Sequence, residues 1–230
     1  MEERLSRTHE INKAILKQSE ISKKIKIGGA GLNGQDNIAV GLTKEVELIV
    51  EGAAGDFFGA LNSSAVITLT GNVARFLGDC MSGGGIIVNG NSDFGAGSYM
   101  SGGVIVIRGN AGDNAGQVKR AGAIIIDGDA GVNAAYLMMG GDMIITGDCG
   151  ESLGELMMGG AIYIGGTYES LGRNAKTAEM GLSDVNLLDT YFKHYGISAK
   201  STTFRKIVPA SSDPLTAIKA RSPQAMEGGN

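Results

Sequence analysis

The sequence predicts an all-β chain, a right-handed parallel β-helix of about seven 19-residue coils with a short helical cap at each end. Three observations carry this reading. Gly supplies 38 of the 230 residues, more than twice the usual share of about 7%. Short apolar runs with alternating aliphatic residues recur along the middle of the chain. The recurrence has a constant interval: Gly52, Gly71, Gly90, Gly109, Gly128 and Gly147 each end an apolar run, 19 residues apart. Such a fixed period is the signature of a repeat architecture.

The first 26 residues carry seven basic and four acidic side chains. Within them Arg7–Leu16 places Ile11 and Ile15 at helical spacing, which predicts a short amphipathic cap over residues 1–26.

Residues 27–180 form the predicted β-helix. Two and four residues before the marks lie pairs such as Val50/Leu48, Ile107/Ile105 and Ile164/Ile162, the pattern of a strand with one buried face. One residue after the marks come Asn72, Asn91, Asn110, Asp129 and Asp148, a polar corner suited to bonding backbone groups. Thirteen after lie Gly84, Gly103, Gly122, Gly141 and Gly160, where the chain must bend or approach closely. A lone strand cannot bury its apolar face, whereas coils stacked about 4.8 Å apart do so and align like residues into ladders. Gly166 is the next counterpart, with the following turn one residue shorter. Parallel crossovers are overwhelmingly right-handed, hence the expected hand. Hexapeptide and nonapeptide solenoids fit worse, given Gly offsets of 3, 7 and 13, and so do leucine-rich repeats, given the scarcity of Leu.

Residues 181–230 are predicted to hold a helix over Ser183–Tyr195, opened by Ser183 as N-cap and carrying Val185, Leu188 and Phe192 on one face. Both helices are expected to close the ends of the stack. All three prolines, Pro209, Pro214 and Pro223, fall late, and the segment beyond Pro209 reads as an extended tail, mobile or ordered by a partner.

Composition narrows the function. With 43% hydrophobic residues and a net charge of −4, the chain can bury a core; three prolines exclude collagen. Residues 27–172 hold 15 acidic and five basic side chains, so the body lacks the basic stripe of a nucleic-acid binder. No apolar run suffices to span a membrane. Cys80 and Cys149 match no metal or redox spacing, and a cytoplasmic location with reduced thiols is expected. The Gly-rich turn Gly109–Gly116 is G-x-x-G-x-x-x-G and recurs in coil after coil, which favours a corner over a phosphate site.

Candidate chemistry is sparse. His9 and His194 lie in opposite flanks, and no coil carries His, so no metal ladder or general base is expected. The row Asp56, Asp113 and Glu151 is interrupted by Arg75, Phe94 and Val132. Met81, Met100, Met138 and Met157 read as core, with an adaptable binding stripe as the alternative. Lys119-Arg120 breaks the Met ladder and is expected to mark a local exposed or partner-facing spot.

The run Gly59–Asn72, continuing through Gly78 to Met81-Ser-Gly-Gly-Gly-Ile-Ile-Val88, resembles the GXGXG domain that closes the large subunit of glutamate synthase. Asp36–Leu42 and Phe204-Arg-Lys-Ile-Val-Pro-Ala210 are similar to stand-alone members, found in split glutamate synthases and N-methylglutamate synthase-like enzymes. The Met-x-Gly-Gly coils are shared with the β-helix subunit of formylmethanofuran dehydrogenase. The resemblance covers about residues 25–180 and implies a right-handed β-helix. It further implies a scaffold in a hetero-oligomer, holding a glutamine amidotransferase subunit against an FMN and iron–sulfur synthase subunit that adds ammonia to 2-oxoglutarate and reduces the imine. FMN and the cluster belong to those partners; catalytic, cofactor-binding and metal residues in this chain are expected to be none. Phe204, Arg205 and Lys206 join Lys119 and Arg120 as expected partner-facing residues. A β-helical acyltransferase and a free-standing structural solenoid remain the alternatives of other classes.

Overall fold

A computed structural model of the chain describes residues 2–29, 32 and 34–214. Helix α1 (Glu2–Ser19) leads into eight strands: β1 (Lys24–Gly28), β2 (Glu47–Glu51), β3 (Val66–Leu69), β4 (Ser82–Val88), β5 (Gly102–Ile107), β6 (Ala123–Ile126), β7 (Asp142–Ile145) and β8 (Ala161–Ile164). Then come β9 (Ala175–Ala178), α2 (Leu182–Tyr195), a 3-10 turn (Ser201–Thr203) and β10 (Arg205–Pro209). Strands β1 to β8 pair in parallel and in sequence order, and β10 then inserts antiparallel between β8 and β9. The result is a β-solenoid of about seven turns.

The 19-residue period is the register of the sheet: Ile67, Ile86, Ile105, Ile124, Met143 and Ile162 are successive partners. A second narrow parallel ladder runs through Ala54, Val73, Ser92, Ala111, Ala130, Cys149 and Tyr168. The shorter turn after Gly166 shows as the pairing of Leu153 with Leu171, 18 residues on. Inward side chains of both ladders, with the fully buried column Met81, Met100, Met138 and Met157, make the interior. Because each coil lies directly on the last, this interior is one continuous column, apolar except chiefly where Asn62 and Lys119 take the Met position.

The two helices differ in their work. Helix α1 caps the first coil: Ile15 is buried with Ile25 and Ile38, and Asn12 donates to Asn37 O (2.7 Å) and accepts from the Ala39 N–H (2.9 Å). The first strand starts at Lys24, inside the segment assigned to the cap by sequence. Helix α2 does not close an end. It lies on the outer face of the sheet, where Leu188 and Phe192 pack with Val106, Ile125, Ile144 and Tyr163. Those four occupy the outward position of β5 to β8, so these strands are apolar on both faces. The free edge of β8 is closed by β10.

The N-cap of α2 is Gly181, not Ser183, and the Asp184 carboxylate reaches back to accept the Gly181 N–H at 2.9 Å. The chain after Pro209 is held by the molecule itself: the Ala210 N–H donates to Asn174 O, and Asn174 and Ser211 exchange two further bonds. The rest of the expected tail, from residue 215 on, lies outside the described residues.

Candidate functional site

The polar corner is an unbroken relay of side-chain to backbone bonds. Asn72 Oδ1 accepts the Asn91 N–H (2.9 Å), Asn91 the Asn110 N–H (2.8 Å), Asn110 the Asp129 N–H (2.9 Å) and Asp129 the Asp148 N–H (2.8 Å). Asp148 ends the row on Thr167, accepting from its N–H and hydroxyl, and those bonds hold its carboxyl below the usual range. The Gly corners Gly52, Gly71, Gly90, Gly109, Gly128 and Gly147 stack beneath this relay, and a Cβ added to Gly71 would fall 2.6 Å from Gly52 O. The second Gly row has left-handed backbone throughout, from φ 72° at Gly84 to 83° at Gly103. These ladder residues are spent on holding coil to coil.

The acidic side of the C-terminal coils borders an open hollow of about 530 Å³ near Asp113, Asp129, Asp148 and Glu169. Among the described residues no group of three or more His, Cys, Asp or Glu is placed to hold a metal. Cys149 is buried, its thiol pushed up to about 12 by burial, while Cys80 is exposed and sits in another column. His9 and His194 are exposed on α1 and α2. No helix among the described residues is long and apolar enough to cross a membrane.

The residues expected to face a partner divide. Arg120 is exposed, but Lys119 is fully buried, because it occupies an inward Met position in the ladder. Its ammonium donates to Gly140 O at 2.8 Å, and burial lowers it to about 8. Phe204 is buried against Phe192, ring centroids 5.3 Å apart. Arg205 is exposed, yet its guanidinium lies over Tyr168 at 4.9 Å and donates to Gly166 O. Lys206 is half-buried and bonds Asp184 at 2.7 Å. The run 204–206 therefore fastens the chain's own C-terminal arm.

Sequence reading missed the centre of that fastening. Asp184 takes the Lys206 ammonium, the Tyr163 hydroxyl (2.8 Å) and the Gly181 N–H. The bond to Lys206 leads in holding its carboxyl down to about 2. Tyr163 and nearby Asp142 are pushed up, chiefly by burial. The only signal was a set of strands apolar on both faces, which needs a cover.

The chain matches no protein of curated function. Among solved structures it is similar to a chain in the X-ray crystal structure of the formyltransferase/hydrolase complex FhcABCD from Methylorubrum extorquens, in complex with methylofuran. The identity is 27% and the TM-score 0.67, covering 79% of this chain and 70% of that one. A family model described as the GXGXG motif matches residues 5–193, strands β1 to β9 with most of α1 and of α2. The chain belongs to the GXGXG-motif family.

Proposed function

We propose that this chain is a non-catalytic scaffold subunit of a cytoplasmic, glutamate synthase-like complex. It aligns a glutamine amidotransferase with an FMN and iron–sulfur subunit that reduces the imine of a 2-oxo acid such as 2-oxoglutarate. The observation that carries the scaffold reading is the use of the repeat. The polar corner row is engaged in inter-coil hydrogen bonds, in a family whose solved neighbour is a chain of a multi-subunit complex. The glutamate synthase reading rests on the resemblance of Asp36–Leu42 and Phe204–Ala210 to stand-alone members. Cys80 and Cys149 stand in separate columns, so they do not form a ligand pair for a cluster, which agrees with placing the redox groups in the partners.

One observation favours a second reading. The neighbour belongs to a formyltransferase/hydrolase complex, so a scaffold in a formylmethanofuran dehydrogenase-like assembly is the competitor.

The test is to mix candidate amidotransferase and flavin subunits with and without this chain, and to compare glutamine with ammonium chloride as nitrogen source. A scaffold that aligns two sites raises the effective concentration of the passed ammonia. The expected result is a higher glutamine-to-ammonia rate ratio when the chain is present. Equal ratios sink the aligning role, and a yellow or brown isolated chain sinks the non-catalytic one. Formyl transfer by the reconstituted mixture, in place of 2-oxoglutarate reduction, selects the second reading.

A further inference from the structure

Each coil makes two tight turns in succession on the side away from the sheet. The first is closed by bonds such as Asp79 N–H to Phe76 O (3.3 Å) and Tyr136 N–H to Asn133 O (3.1 Å). The second is closed by Met81 N–H to Gly78 O (3.1 Å) and Met138 N–H to Ala135 O (3.1 Å). In both, the third residue has left-handed backbone, a place that calls for Gly or Asn. The first turn mostly obeys, with Gly59, Gly78, Gly97, Gly116 and Gly154 there. The second turn obeys only in the end coils, with Gly41 at φ 70° and Asn174 at φ 68°; the six coils between them place Leu61, Cys80, Tyr99, Val118, Leu137 and Leu156 at φ between 52° and 58°. For a β-branched residue such as Val118 this is an outlier.

The fold does not need this strain, since Gly would close the same turn. Nor do the side chains go inside: Leu61 is 56% and Tyr99 45% exposed, Cys80 is exposed, and the other three are half-buried. The residue after each points inward instead, as the Met column does. The strained conformation thus sets one apolar side chain on the surface of each of these six coils, in line along the solenoid.

We infer that this line is a docking stripe for an amphipathic helix of a partner chain, apolar on the contacting face and basic along the edge that meets the first turns. Its pitch fits a helix. Six coils about 4.8 Å apart make a line of about 24 Å, the length of about 16 helical residues, whose turns recur every 5.4 Å or so. A partner strand has no backbone to pair with here. The Leu61, Cys80, Tyr99, Val118, Leu137 and Leu156 N–H groups all donate to the next coil, at 2.8 to 3.0 Å, so the stripe offers side chains only. Charge sets the partner's edges. Asp79, Asp113 and Glu151 border these turns on the first-turn side, against exposed Arg120 on the other, while Arg75 and Arg173 are bound by Asp56 and Glu155. That acidic border also disfavours a second copy of the same face. The inference goes beyond the proposed complex and holds whichever reaction the assembly performs.

The test uses the full chain and three labelled 17-residue synthetic peptides: one with Leu at i, i+3, i+4 and i+7 flanked by Lys, its Glu counterpart, and a scrambled Lys peptide. Fluorescence anisotropy should show the patterned Lys peptide binding at least tenfold tighter than the others. Tyr99→Gly combined with Leu137→Gly, and separately Leu137→Asn, suit the left-handed backbone and remove the apolar group. They should keep or raise Tm, and the double variant should weaken peptide binding at least tenfold. Equal binding of all three peptides, or binding unchanged in the Gly variant, overturns the stripe. A lowered Tm in both variants overturns it too, because the side chains would then serve packing. A dimer seen by sedimentation and abolished by these substitutions overturns the helical partner in favour of a second copy. None of these outcomes depends on the glutamine-to-ammonia ratio.

Discussion

At the scale of single residues, neighbouring glycines in one strand have opposite value. A Cβ on Gly84, at φ 72°, would meet Ala65 O at 2.4 Å, whereas one on Gly85 meets nothing closer than 3.8 Å. Gly84→Ala should therefore be destabilising and Gly85→Ala neutral within about 0.5 kcal/mol. One coil on, Gly103→Val combines left-handed backbone with a contact 2.7 Å from Gly84 O, and should cost about 1–3 kcal/mol in thermal unfolding. Lys119 is the converse case, a charge where the ladder calls for Met. Its folded value of about 8 lies below the ordinary 10.5. Between those values the unfolded chain binds the more protons, so this residue's contribution to stability rises with pH from about 8 to 10.5. At neutral pH the buried ammonium costs stability. Lys119→Met should raise stability at pH 7 by roughly 1–2 kcal/mol, less the lost bond to Gly140 O. It should also flatten the pH dependence of Tm above pH 8.

At the scale of elements, the C-terminal arm is latched at Asp184. Its carboxyl is held down to about 2, below the ordinary 3.8, by Lys206, the Gly181 N–H and the Tyr163 hydroxyl. The folded state therefore gains from this group above about pH 4, and the gain is lost as pH falls from there through about 2. Asp184→Asn removes the charge and so that part of the acid dependence. Hydrogen exchange should rise in residues 182–209, while the strands β2 to β7 keep their protection. An unchanged exchange pattern would show that apolar packing by Leu188, Phe192 and Phe204 holds the arm without the latch.

For the whole molecule, the arm completes the solenoid by covering its outer apolar face. Helix α2 covers Val106, Ile125, Ile144 and Tyr163, and β10 takes the edge of β8. A chain ending at Met180 would expose that apolar face together with an unpaired strand edge, a template for aggregation. Size-exclusion chromatography of this truncation should show oligomers and its surface should bind ANS, in contrast to the full chain. A monomeric, ANS-silent truncation would mean that the cover serves only to dock partners.

The period, the coil register and the composition of each column were legible in the sequence, because parallel stacking turns a 19-residue interval into direct contact. Asn72 meets Asn91, and Ile86 meets Ile105, for no reason beyond that interval. The family resemblance was legible on the same residues. Where the arm lies was not. Alternation says which side chains of β5 to β8 point out, but not that Leu188 and Phe192, dozens of residues later, cover them. The expectation for Lys119 failed for a related reason. Residue type argued for the surface, column position argued for the interior, and backbone register decided. Phe204 and Lys206 read as partner contacts in sequence because a late apolar-basic run has no local partner. The left-handed backbone at Leu61 and its counterparts could not be read at all, since φ at a turn follows from closing the coil. Sequence alone determined the repeat and which residues share a column; only the tertiary structure decided which columns are covered, because that depends on contacts between segments far apart in the chain.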